Sequence, residues 1–236
     1  VNNALLFNFT LVFLDNLSWN HYIVAMRLPI AIEGLPIIKW VWFAFLMSFF
    51  TLDGGVIGGF GVVLVFVVSF FRDPLRKKEY SENTIISAAD GVITQVNDVQ
   101  IEGQNYTQIV AFLSVFNCHV NRIPFSGTII KTTHIPGKFL AAMRGDIDKK
   151  NERQETDIDT AIGLVRVVQI TGAIARRICC GLVPDQVVKT GARFGLIRFG
   201  SRTDVYLPTD KVTVLVKKGD KVKGALTPIA TVNPEK

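Results

Sequence analysis

Cysteine and histidine are scarce in these 236 residues: Cys118, Cys179 and Cys180, and His21, His119 and His134, are all there are. An odd cysteine count with two adjacent members excludes a disulfide framework and fits a reducing compartment. No Cys-x-x-Cys or His-x-His spacing exists, so no metal site is expected. Charge is also thin, at 19% of residues, and its distribution is uneven. The first 71 residues hold only Arg27, Lys39, Asp15, Glu33 and Asp53, which leaves 24 of the 26 basic and 17 of the 20 acidic side chains to the remainder. With 49% apolar residues the chain is too hydrophobic for a disordered tail. A net charge of +6 invites a nucleic-acid reading, but no aromatic-basic recognition motif of the usual kinds is present, and no nucleic-acid partner is expected. What remains is an apolar leader joined to a basic body, the composition of a module held at an anionic membrane.

Residues 35–52 and 56–71 are apolar runs separated by Asp53-Gly54-Gly55 and interrupted only by Lys39. As helices they would reach roughly 24 to 27 Å, a little short of a ~30 Å hydrocarbon core. They read either as a helical hairpin that crosses or dips into the bilayer or as two buried core helices. The lack of a polar face on either run favours the hairpin. Arg72, Arg76, Lys77 and Lys78 follow it, marking a cytoplasmic side and attracting acidic headgroups. Residues 4–14 are apolar too, without the flanks of a signal peptide, and read as a peripheral amphipathic segment.

From residue 84 the pattern changes to short β-branched runs punctuated by Gly, Pro and Asp: 84–87, 91–96, 109–115, 127–132, 161–170, 176–180, 195–198 and 212–216. The expected class is α+β, a mainly antiparallel β body behind a helical hairpin, with residues 1–78 as the membrane segment and 79–236 as the β-rich domain. The turns at 185–191 and 219–224 resemble those of lipoyl-type barrel-sandwich domains and read equally as ordinary Asp/Gly hairpin turns. The charged stretch 143–159 reads as a loop or short exposed helix.

The densest chemistry lies in Arg198-Phe199-Gly200-Ser201-Arg202-Thr203-Asp204-Val205. Glycine leaves the carbonyl carbon of residue 200 open, and the following serine can place its Oγ on that carbon, converting an amide into a weaker ester. Elimination from the ester would leave dehydroalanine, which hydrolyses to ammonia and a pyruvoyl terminus. Such chemistry needs a base and an acid to orient it, and His119 and Asp90, each at the end of an apolar strand pattern, supply the types required. Taken singly, a core histidine and an Asx-turn aspartate explain them as well.

Those motifs, with Glu33-Gly34-x-Pro36, Phe70-Phe71-Arg72-Asp73-Pro74, Ala88-Ala89-Asp90-Gly91, residues 116–124, Pro136-Gly137-Lys138-Phe139 and Asn151-Glu152-Arg153, resemble the phosphatidylserine decarboxylase proenzymes of the short bacterial type. The resemblance covers nearly all of residues 27–230. It implies self-cleavage at Gly200-Ser201 into a β chain, 1–200, paired with an α chain, 201–236, whose Ser201-derived pyruvoyl group is the covalent cofactor and forms a Schiff base with substrate. It implies Asp90, His119 and Ser201 as the processing triad, phosphatidylserine in an anionic membrane as the partner, phosphatidylethanolamine as product, and a place on the cytoplasmic face of a bacterial membrane, with homo-oligomers possible. Longer-chain relatives carry a second histidine where Arg122 stands here. Arg122 and Arg202 are the cations nearest in sequence to the triad for a headgroup phosphate, with structural ion pairs the expected role of both. The competing class is a membrane-tethered lipoyl-like carrier or binding module without catalysis, which would use Lys138 or His134.

Overall fold

The computed structural model describes residues 29–76, 78–139, 150–172, 177–198 and 201–234. The segment 4–14 and Lys77 lie outside them.

The two apolar runs form helices α1 (Leu35–Ser48), extended by a 3₁₀ turn (Phe49–Thr51), and α2 (Gly54–Phe70). Pro36 sits in the first turn of α1, where its missing N–H costs no hydrogen bond. Asp53 caps α2, its carboxylate accepting from the amides of Gly55 at 2.7 Å and Val56 at 3.1 Å. Both helices stay apolar on their outer faces: Trp40, Phe50, Leu52, Val62 and Val65 are all exposed. The stretch Ile32–Thr51 is long and apolar enough to cross a membrane.

The body holds fourteen strands among the described residues: β1 (Thr84–Ile86), β2 (Gly91–Ile101), β3 (Gln104–Leu113), β4 (Val120–Arg122), β5 (Gly127–Ile135), β6 (Arg153–Thr160), β7 (Gly163–Thr171), β8 (Ile178–Cys180), β9 (Val187–Val188), β10 (Arg193–Ile197), β11 (Ser201–Pro208), β12 (Val212–Val214), β13 (Lys221–Val222) and β14 (Pro228–Val232). Eight of them form a curled antiparallel sheet in the order β13-β2-β3-β11-β7-β6-β5-β9, faced by the three-stranded sheets β4-β10-β8 and β1-β14-β12. The core lies between. Ile93, Ile109, Ile129, Ile158, Val165, Val167, Val205 and Leu207 point inward from the large sheet to meet Ile85, Ile123, Phe194 and Ile229. This is the α+β architecture expected, with a half-barrel sheet.

The charged stretch departs from expectation. Its part within the described residues is not a loop or helix but β6, paired on both sides by β5 and β7. Thr156 and Ile158 turn inward while Arg153, Glu155 and Asp157 turn outward, where Asp157 meets Arg166 of β7 at 2.6 Å. The charges occupy one face of a period-two strand, and the polar Thr156 on the other face hides the alternation.

Among the described residues the hairpin joins the body at its foot. Val67, Phe70, Phe71 and Ala31 pack on Cys118, Val120 and Leu196. Gly34 is required there, because a Cβ at that position would stand 2.2 Å from the Phe71 ring. Ion pairs fix the same seam: Arg193 binds Glu33 at 2.6 Å and Asp73 at 3.1 Å, and Arg122 binds Asp73 at 2.6 Å.

Candidate active site

Ser201 opens β11, the strand of the large sheet that lies between β3 and β7, opposite Leu113 on one side and Thr171 on the other. It is completely buried, and its Oγ has no hydrogen-bond partner among the described residues. An orphaned hydroxyl in a packed interior is costly and unusual, and such atoms concentrate at reacting centres. Gly200, the other half of the scissile pair, lies outside the described residues.

The strand turns that follow the sequence bring His119 to the same end of the molecule. β10 runs antiparallel to β4, and the Ile197 amide donates to the His119 carbonyl at 3.3 Å. Four residues later the chain is at Ser201, a reach of at most about 14 Å. His119 is fully buried, with its ring tilted over that of Phe70 at 4.3 Å between centroids. Its Nδ1–H donates to the Asn117 carbonyl at 2.9 Å, which makes Nε2 the basic atom of the ring. Burial pushes its pKa down to about 4, opposed by the Asn117 hydrogen bond, helped by the charge of Arg72 and opposed by that of Asp90. The imidazole is therefore neutral at pH 7, the form a general base requires.

Asp90 stands in the turn that precedes β2, within electrostatic reach of His119. Among the described residues its carboxylate makes its hydrogen bonds elsewhere: to both terminal nitrogens of Arg76, one at 2.7 Å, and to the amide of Gly224 at 2.8 Å. Gly91 lets β2 start beside it, since a Cβ would stand 2.2 Å from the Phe112 carbonyl oxygen. The three expected residues thus share one end of the body. Asp90 acts on His119 through its charge, while the hydrogen bond that sets the ring tautomer comes from Asn117. Arg76, part of the basic cluster that the sequence reading gave as marking the cytoplasmic side and attracting headgroups, has its side chain largely buried against Asp90 and Gly224. Arg72 likewise turns to the Ser69 and Phe116 carbonyls, at 2.7 Å each.

Arg122 and Arg202 are both ion-paired. Arg122 holds Asp73, and Arg202 holds Asp204 with two contacts of 2.6 Å, backed by Gln108 Nε2 at 2.7 Å from the same carboxylate. The residues proposed for a carrier hairpin are placed otherwise. His134 pairs with Glu152 at 3.1 Å, and Lys138 forms an isolated backbone bridge with Asn151. A polar chain that sequence reasoning missed runs beside Ser201: Gln169 Nε2 donates to Asn121 Oδ1 at 2.6 Å, and Asn121 Nδ2 to Thr203 Oγ1 at 3.2 Å. Asn121 follows His119 by two positions, and that strand spacing was its only signal.

The family profile of phosphatidylserine decarboxylase matches residues 63–230, a span that includes every residue of this site. The chain belongs to that family. It is 42% identical over 217 residues to a phosphatidylserine decarboxylase proenzyme of Wolbachia pipientis wMel, covering 86% of this chain and 94% of that protein. Proteins of the same name from Pelobacter propionicus and Geobacter metallireducens are each 42% identical over 82% of this chain and 92% of their own length. These relatives are named as proenzymes.

Proposed function

We propose that this chain cuts itself between Gly200 and Ser201 and then decarboxylates phosphatidylserine to phosphatidylethanolamine at a membrane surface. The observation that carries the reading is the Ser201 Oγ, buried at the head of a central strand with no hydrogen-bond partner among the described residues, at the end of the body that also holds the neutral, buried His119. His119 Nε2 takes the hydroxyl proton as Oγ attacks the carbonyl carbon of residue 200. The amide nitrogen leaves as the amine of residue 201, and an ester joins the two residues. Loss of the Ser201 α-proton with rupture of its Cβ–O bond frees the carboxylate of residue 200. The dehydroalanine left behind takes up water and sheds ammonia to become a pyruvoyl group.

The site suits that group, since Ser201 is fully buried and its Oγ has no hydrogen-bond partner among the described residues to lose when the oxygen departs. The ketone supplies the electron sink that decarboxylation needs. The chain's own residues do the rest. His119 Nε2 serves as the proton carrier for the new terminus, and Phe70 covers its ring face. β11 hydrogen-bonds to β3 and β7 on both flanks, so the small chain 201–236 stays seated in the large one after the cut.

The reading puts the site at the headgroup plane, with the body on the cytoplasmic side of a bacterial membrane, and the exposed apolar hairpin and the basic residues that follow it support that position. Purified protein mixed with phosphatidylserine in detergent micelles should form phosphatidylethanolamine and release carbon dioxide, and prior hydroxylamine should abolish both by capturing the ketone. Turnover indifferent to hydroxylamine would contradict the pyruvoyl assignment.

A further inference from the structure

The segment that leaves the hairpin lies against the turn 223–227, which belongs to the chain beyond the cut. Three side chains cross between them. Arg76 donates to the Gly224 carbonyl, Tyr80 to the Ala225 carbonyl, and Lys78 to the Leu226 carbonyl at 3.3 Å. Asp90 closes the arrangement: Arg76 grips both of its oxygens, and the Gly224 amide donates to one of them. Residue 224 therefore offers its N–H to Asp90 and its C=O to Arg76. The turn is pressed close, for the position of a Gly224 Cβ is 3.1 Å from Ala89 Cα. Both side chains of the pair are about nine-tenths buried, at 8% and 11% exposure. A forked guanidinium matches two carboxylate oxygens, and a lysine ammonium does not.

Resting on the self-cleavage reading above, we propose that Arg76 is a positioning residue for processing. It fixes the Asp90 carboxylate at one distance and orientation from His119, and it does so only when the hairpin's trailing segment is seated on the turn 223–227. Among the described residues the hydrogen bonds of Asp90 are those of the clasp, to Arg76 and to the Gly224 amide. Without Arg76 the Gly224 amide still holds one carboxylate oxygen, but the second loses its partner in the clasp, and the field at the imidazole becomes variable. Docking of the membrane leader thereby becomes a condition for efficient cutting, which ties the making of the active terminus to a correctly placed hairpin.

The test is cell-free synthesis of the full chain in detergent, followed over time by the appearance of the 36-residue fragment 201–236. Wild-type chain must cut; if it does not, the self-cleavage reading fails and not this one. With cutting established, Arg76→Ala should slow it at least tenfold, Arg76→Lys should lie between, and added methylguanidinium should restore Arg76→Ala in a saturable way that sodium chloride or ammonium at equal concentration does not. Melting of the same substitution in a Ser201→Ala background reports the fold separately. Cutting of Arg76→Ala at the wild-type rate overturns the proposal, as does slow cutting that guanidinium leaves unchanged.

Discussion

The hairpin and the body are built from equally apolar stretches, yet the same side chains serve opposite ends. In the body, Ile and Val alternate with polar residues and face a core in which the largest aliphatic side chains are fully buried. In the hairpin, Trp40 is 69% exposed and Phe50 80%, and the buried side chains of α2 are Val67 and Phe70, at its foot. An exposed apolar surface of this kind needs another solvent, and lipid is the one its length fits. The body is held by hydrogen bonds and packing within itself, whereas the hairpin is held by a seam of ion pairs and two phenylalanines. His119, the base of the proposed self-cleavage, lies on that seam, under Phe70.

Several substitutions would break or sharpen this contrast. His119→Ala removes the base from the seam and should slow self-cleavage by about a hundred- to ten-thousandfold, read as loss of the small fragment in a pulse-chase. Cutting at an unchanged rate would assign the proton transfer to another group. Within the body, Asp204→Ala leaves Arg202 buried without its carboxylate and should cost about 3–5 kcal/mol in denaturant unfolding of the uncut Ser201→Ala chain. A cost under about 1 kcal/mol would show that the pair is solvated.

His119 also sets a pH window. Its folded pKa of about 4 lies below the unfolded value near 6.5, so the unfolded chain takes up the proton first as pH falls. The stability it provides is whole above about pH 6.5 and lost on the way down to about pH 4, a change of roughly 3 kcal/mol. In the uncut background, His119→Gln should flatten that part of the profile. The smallest effect belongs to the hairpin's outer face. Trp40→Ala should leave the body's melting unchanged within about 0.5 kcal/mol while weakening binding to vesicles. A large loss of stability would mean that the outer face is packed against protein.

Much of this architecture was legible in the sequence. The 18- and 16-residue apolar runs gave both helices, because an uninterrupted run with no polar face has few other folds, and Asp53 between them acts as the cap its side chain suits. The β body followed from β-branched runs and Gly/Asp turns. β6 escaped because its inward face carries a threonine and its outward face carries charges that pair across strands. Ser201, His119 and Asp90 were legible as chemical types, and the sheet topology brings them to one end. The partners that control them were not. Asn117 holds His119 by its backbone carbonyl, which any residue possesses, and Arg76 reaches Asp90 and Gly224 across 14 and 148 positions, which no local pattern encodes. Structural ion pairs were the expected role of Arg122 and Arg202, but which carboxylates they would take, Asp73 and Asp204, was not written in any local pattern.

Intact-mass spectrometry of the purified protein tests the central claim most directly. The account predicts two species, the smaller being residues 201–236 with a first residue that has lost its nitrogen, and a single full-length species for Ser201→Ala. A preparation that turns over phosphatidylserine while containing only the full-length, unmodified chain would contradict it.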